Sequence, residues 1–279
     1  MKLSGLVLSL AVHLSCIEAQ PATAGAPASQ VASPAVPLEE EVEFDREHRH
    51  WTELLAAHVR GDAVDYVGLK ERRAALQVYL DELASVTPEE LASWSRDDRF
   101  AYWINAYNAF CVQLVVDNYP LESIRDLGGK LLGRVWDKEY IPLTAHHPDG
   151  DDDRLSLNDL EHEILRVQFP DARLHAAINC ASYSCPPLRP EAFVGSRLDV
   201  QLDEQMRGFV ADRARNQLDA AAGKAVVSEL FSWFSEDFER DAGSVRSYLA
   251  RFAPGDGGWI EKADLEYLDY DWSLNDIQR

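Results

Sequence analysis

The stretch over residues 99–118 limits the possible folds more than any other. Phe100, Tyr102, Trp103, Ile104, Tyr107, Phe110, Cys111, Leu114, Val115 and Val116 fall so that, wound as a helix, apolar side chains cover nearly the whole circumference. A helix apolar all round belongs inside a protein, so this segment predicts a buried helix with other elements packed about it. Asn105 and Asn108 interrupt it three residues apart, on one face. Buried amides must be hydrogen-bonded. These two are therefore expected either to bind backbone and hold the core in register or to line a site. Cys111 sits mid-helix among apolar neighbours and reads as inert core.

The flanking chain reads mostly as helices. Trp51, Leu54, Leu55, His58 and Val59 recur at helical spacing, and Gly61 can end that helix. A second helix is expected over 69–84. Thr87-Pro88-Glu89-Glu90 is a helix start, with Thr87 as N-cap, Pro88 in the first turn and Glu90 as the capping-box partner. A short helix is expected over 121–127, a strand over 139–143 that Pro142 confines to an edge or an end, and its return over 154–156. Helices follow over 159–169, 198–212, 230–238 and 244–252. Residues 217–219 and 224–228 bracket an Ala-Gly turn and predict a hairpin, and 266–273 alternates like a strand. No composition break follows residue 44. The expectation is a single, mostly helical α+β domain over 44–279 with a small antiparallel sheet.

Before that domain the character changes. Lys2 precedes an apolar run to Leu14, and small residues follow at Ala19 and Ala22-Thr23-Ala24. The run is too short to span a bilayer, so 1–19 reads as a cleaved export signal and the protein as periplasmic or secreted. Lipid modification at Cys16 is less favoured, because His13 stands where an apolar residue is expected. Residues 20–43 are rich in Ala, Pro, Ser and Gln and read as a disordered linker. The formal net charge is −21, which argues against nucleic acid and anionic lipid as partners. No cofactor and no membrane span are expected. The acidic loop at 146–153 resembles a calcium loop in composition only, without the spaced ligands or the closing glutamate.

The chemistry is concentrated at 175–188, His-Ala-Ala-Ile-Asn-Cys-Ala-Ser-Tyr-Ser-Cys-Pro-Pro-Leu. Two of the chain's 4 cysteines lie here with His175, Asn179, Ser182 and Ser184. Pro186-Pro187 stiffens the exit and drives Cys185 into extended or turn backbone. Polar, reactive side chains on a stiff loop mark a site. Removal of the leader leaves three cysteines. Cys180 and Cys185 form the natural pair for a disulfide in an oxidising compartment, with Cys111 left over.

Four segments then resemble a known family: Tyr102–Ala109, Leu155–His162, the central stretch His175–Leu188, and Tyr267–Asn275. Their order and spacing are similar to those of the domain of unknown function 547 family, over roughly residues 90–275. Ala176 stands where that family often has a larger apolar residue, and Ala181 where glycine is frequent. The family has no assigned activity to carry over.

The residues leave three readings. The first is a non-catalytic exported binding or structural module. In it a Cys180–Cys185 disulfide stiffens the loop, His175 and His162 are buried, hydrogen-bonded imidazoles, and the loop and Trp272 form a surface for an unidentified small molecule, peptide or protein. The alternative is a thiol hydrolase or acyl transferase, with Cys180 or Cys185 as nucleophile, His162 or His175 as base and an asparagine, Asp271 or Glu161 as the orienting group. A metal site on His162, His175, Cys180 and Cys185 is weaker, because the Cys-x4-Cys spacing is not a zinc signature. His48, His50 and His58 on the first helix read as solvated or satisfied. The leader pattern predicts a mature N-terminus between Gln20 and Gly25. N-terminal sequencing of exported material checks this, and a retained Met1 or a lipid on Cys16 overturns it.

Overall fold

Why the chain folds around residues 96–118 is visible in what that segment buries. We describe the protein from a computed structural model that covers residues 43–128, 135–143 and 154–278. The expected leader, Cys16, nearly all of the linker and the acidic loop lie outside the described residues. The central helix, Arg96–Asn118, starts one turn earlier than its apolar pattern, because Ser95 caps it by accepting from the Asp98 N–H. Sixteen of its residues are buried, Asn105 and Asn108 included. At roughly 25 cal/mol per Å² of apolar surface, a helix buried on all sides is the main source of hydrophobic stabilisation here.

Arg49–His58 lays Trp51, Leu54, Leu55 and His58 inward. Trp51 stacks on Tyr79 of Arg73–Ser85, with ring centroids 5.5 Å apart and planes 2° apart. Thr87 caps Pro88–Ser93 by accepting from the Glu90 N–H. The reciprocal half of the capping box is replaced, since the Glu90 carboxylate accepts from the Phe44 N–H. His48 meets the Tyr79 hydroxyl at 2.7 Å and His50 meets Glu82 at 2.6 Å, whereas His58 meets Asp65 at 3.4 Å through Nδ1 and its buried Nε2 has no hydrogen-bond partner among the described residues.

The fold is mostly helical α+β, with two small sheets among the described residues. Val59–Arg60 and Ala63–Val64 form a minimal hairpin whose turn uses Gly61 at φ 63°. Gln217–Asp219 and Lys224–Ser228 pair antiparallel as the Ala-Gly turn predicts. The third strand, Asp264–Leu268, adds parallel to Lys224–Ser228, so this sheet is mixed. It is also shorter than the alternation suggested. From Tyr270 the backbone leaves the sheet to pair with the central stretch, Tyr183 N–H donating to Ser273 O at 2.8 Å and Asn275 N–H to Ala181 O at 3.2 Å. The strand expected over 139–143 is only a bridge between Ile141 and Leu155, because Pro142 offers no amide to extend it.

The largest departure is at the segment expected as an α-helix over 159–169. Asp159–Leu165 is a π-helix, followed by one α turn at Arg166–Gln168. Such segments are rare and gather at functional sites. The central stretch begins as a short helix, Leu174–Ala177, and runs between two hydrophobic cores. Ala177, Ile178 and Ala181 belong to the core around the central helix. Ala176 belongs to the core built on Met206, Phe209, Phe231, Phe238 and Leu249.

Two asparagines tie the central helix to this stretch. Asn108 Nδ2 donates to Ala177 O at 2.9 Å, and its Oδ1 accepts from the Asn179 N–H at 2.8 Å. Asn105 grips Phe193 in the same two-point manner, at 2.7 and 3.0 Å. Each amide takes the place of a missing β-ladder partner for buried backbone. Replacing either with Leu strands two buried backbone groups and is expected to cost about 1–3 kcal/mol. Denaturant unfolding of Asn105→Leu and Asn108→Leu checks this, and an unchanged midpoint overturns it.

Candidate functional site

After Ala177 the chain has no regular structure until residue 195, so side chains hold its shape. Asn179 Nδ2 donates to Pro186 O at 2.8 Å and Asn179 Oδ1 accepts from the Ala181 N–H at 2.9 Å. Cys185 N–H donates to Ser182 O, closing a turn. The buried Arg215 donates to the carbonyls of Cys185 and Tyr183 and is itself neutralised by Asp212. Held this way, Ala181 is at φ 61°, the left-handed region that costs a residue with a Cβ roughly 1–2 kcal/mol. It is the position where the resembled family often has glycine.

This loop forms one wall of a cavity of about 500 Å³ between the two cores. Cys180, Cys185, His175 and His162, the candidates for chemistry, all line it, with Glu161 beside them. The π-helix supplies Glu161 and His162. Tyr270 and Trp272 come from the segment that pairs with the loop, Trp233 and Phe234 from the aromatic run after the hairpin, and Arg125 and Trp136 from the chain beyond the central helix.

The sulfurs of Cys180 and Cys185 are 3.0 Å apart. Both are free cysteines, so the expected disulfide is not formed here, that bond being about 2.05 Å long. The two thiols differ sharply. Burial pushes Cys185 well above the ordinary thiol range, so it keeps its proton and can donate to Cys180. Cys180 is lowered to about 6, first by that hydrogen bond and then by the Ser182 and Tyr270 hydroxyls, 3.1 and 3.4 Å from its sulfur. Burial opposes the shift without cancelling it.

Glu161 is raised to about 8, chiefly by burial and then by the negative charge of Cys180. Its Oε1 lies 3.9 Å from His175 Nδ1. On the far side of the imidazole, His175 Nε2 is 2.7 Å from Asp237 Oδ2. Desolvation lowers His175 despite this carboxylate, so the ring is neutral, and Nε2 carries the proton that Asp237 accepts. The ring stacks on Phe234, centroids 3.9 Å apart. Asp237 is held well below the usual carboxylate range, against its own burial, by His175 and Arg166. Arg166 Nε donates to it at 2.7 Å and Arg240 Nη1 at 2.7 Å. The arrangement can ionise one thiol, hold a neighbouring carboxylic acid protonated and brace a neutral imidazole.

A family model described as "Protein of unknown function, DUF547" matches residues 91–210. Over that region the chain is similar to this family. No curated protein and no solved structure matches the chain. The matched region carries Asn105, Asn108, Glu161, His162, His175, Cys180 and Cys185. Tyr270 and Trp272, in the last of the four resembling segments, line the cavity from beyond it, and Asp237 reaches it through His175.

The other candidates divide between cavity and scaffold. Trp272 lines the cavity. Ser182 touches the Cys180 sulfur and the Tyr270 hydroxyl. Asn105, Asn108 and Asn179 bind backbone. Ser184 Oγ accepts from the Asp271 N–H, and Asp271 accepts from the N–H and hydroxyl of Ser273, so the carboxylate expected to orient a histidine instead shapes its own turn. Asp237 orients His175. Its sequence signal was faint: a carboxylate next to Phe238 inside an aromatic run. The metal reading is not supported by geometry, since among the described residues no three or more of His, Cys, Asp and Glu are grouped to hold an ion. Tyr107, Tyr270 and Arg125 were not singled out, because an aromatic or an arginine in an ordinary context carries no motif.

The strained backbone at Ala181 makes a direct test. Ala181→Gly is expected to be neutral or to stabilise by up to about 1 kcal/mol, and Ala181→Val to destabilise by about 2 kcal/mol or more. Equal losses in thermal unfolding of the two variants overturn the strain argument.

Proposed function

We propose that the protein is a thiol-dependent hydrolase or acyl transferase with Cys180 as its nucleophile. One observation carries this reading: a thiol lining the cavity has the Cys185 thiol and the Ser182 and Tyr270 hydroxyls at its sulfur and shares that wall with the buried carboxyl of Glu161. The Cys180 thiolate attacks the carbonyl carbon of an ester, thioester or amide. The Tyr270 hydroxyl, which accepts from Ser182 and lies 3.4 Å from the sulfur, donates to the oxyanion. As the tetrahedral species collapses, Glu161 gives its proton to the leaving group, and the acyl group remains on sulfur. Glu161, now a carboxylate, takes a proton from the incoming water or acceptor. That nucleophile releases the acyl group, and Cys180 leaves as thiolate with Glu161 protonated again. His175 positions Glu161 and does not carry charge. The reading includes export, which rests on the N-terminal leader pattern alone.

The separation of 3.0 Å between the two sulfurs also favours a second reading. In an oxidising compartment this pair can close, and the protein then acts as a binding or structural module with a stiffened loop.

Alkylation distinguishes them. With Cys111→Ser as background, Cys180 is expected to react with iodoacetamide without prior reductant, its rate rising through about pH 6. Hydrolysis of a reactive ester should follow a bell. The thiolate is required above about pH 6, and the proton on Glu161 is lost above about 8. Glu161→Gln should preserve labelling and reduce hydrolysis by roughly a hundredfold or more. Labelling only after reductant supports the module and overturns the enzyme.

A further inference from the structure

One part of the cavity wall is unusual in composition. Trp136, Trp233, Tyr270 and Trp272 form one connected aromatic surface, with Trp233 and Trp272 stacked at 5.7 Å and Tyr270 and Trp272 in contact at 4.5 Å. Trp233 is 45% exposed, a large apolar area for a protein to leave in water. Arg125 lies over this surface, its guanidinium carbon 5.2 Å from the centre of the Trp272 ring. Its place is fixed: Ser123 caps the short helix Ile124–Leu127 with a complete capping box, and the Ser123 hydroxyl donates to Trp272 O at 2.6 Å.

Arg125 has no carboxylate partner among the described residues, although the chain has 48 acidic residues to 27 basic ones. Other arginines near the cavity are saturated: Arg166 by Asp237, Arg173 by Asp171, Asp199 and Asp203, and Arg215 by Asp62 and Asp212. Arg125 is also the one arginine or lysine on the cavity wall among the described residues. Of the wall's carboxyls, Asp137 has an interaction of its own and Glu161 is protonated while Cys180 is ionised. A guanidinium offers a planar pair of donors that matches a carboxylate.

We infer that the substrate is an amphipathic organic anion, with an aromatic or aliphatic body on the tryptophan wall and a carboxylate held by Arg125. A cavity of about 500 Å³ suits a small molecule or the end of a chain. An ammonium ligand is disfavoured, because Arg125 already occupies the face of Trp272 that would attract it. The inference deepens the acyl-transfer reading, on which the word substrate rests, while the binding itself needs no reaction.

The test uses three probes of one shape on Cys180→Ser protein, followed by tryptophan fluorescence: 3-phenylpropionate, 3-phenylpropionamide and 3-phenylpropylammonium. The acid is expected to bind about tenfold more tightly than the amide, and the ammonium least. Arg125→Gln should level the acid with the amide, and Trp233→Ala should weaken both alike. Added salt should reduce binding of the acid only. Equal binding of the three probes, tighter binding of the ammonium, or a preference for the acid that survives Arg125→Gln overturns the inference. Iodoacetamide labelling of Cys180 in wild-type protein is run beside it. Fast labelling with charge-blind binding sinks the inference alone, and labelling only after reductant sinks the reading beneath it.

Discussion

The two-point grip of Asn108 on the backbone of Ala177 and Asn179 is the interaction on which the rest of the site depends. It joins the most buried helix to the first residues of a loop with no ladder of its own. The grip extends through Asn179 to Asn275, whose amide is 3.4 Å away, and from Asn275 to the Tyr66 hydroxyl at 2.7 Å. Four segments distant in sequence thereby meet in one buried polar chain. In a low dielectric such a chain is costly when incomplete and specific when complete. Each member also has a packing neighbour that cannot move without opening a void. The loop can therefore hold a left-handed residue and two adjoining thiols without regular secondary structure.

The π-helix does for the charges what the asparagines do for the backbone. Its Arg166 N–H donates to Glu161 O, a bond spanning five residues. In an α-helix, residues five apart point about 140° away from each other. The wider turn brings Glu161 and Arg166 closer to a common side, where one meets His175 Nδ1 and the other neutralises Asp237 on Nε2. A regular helix here would sacrifice one of those two contacts.

Much of this was legible in the sequence, for reasons that differ by residue. The buried helix, the hairpin at 217–228 and the cap at Thr87 follow from periodicity and local hydrogen bonding, which short windows contain. The location of the site followed from the clustering of Cys180, Cys185 and His175. What the sequence hid depends on long-range partners. Nothing local says that Asp237 will meet His175 sixty-two positions away, or that Asp271 will spend its carboxylate on Ser273. The π-helix was hidden because its residues have ordinary helical spacing. The parallel third strand was hidden because alternation reports a face and gives no strand direction.

The protonation of the site follows from hydrogen-bond direction as much as from burial. Arg166 and Arg240 keep Asp237 ionised, and an ionised Asp237 makes Nε2 the protonated nitrogen of His175. The other nitrogen, Nδ1, must then present a lone pair toward Glu161. A lone pair facing a carboxyl group favours the acid over the carboxylate. Burial and the charge of Cys180 hold the proton on Glu161, and Cys180, with the Cys185 thiol and two hydroxyls around its sulfur, carries the negative charge instead. Moving that proton onto Cys180 would set a carboxylate against the lone pair of a ring whose burial resists a second proton. The charge on the thiol is thus set by the groups at its sulfur, while the two arginines act one step away, through Asp237, on the tautomer of His175.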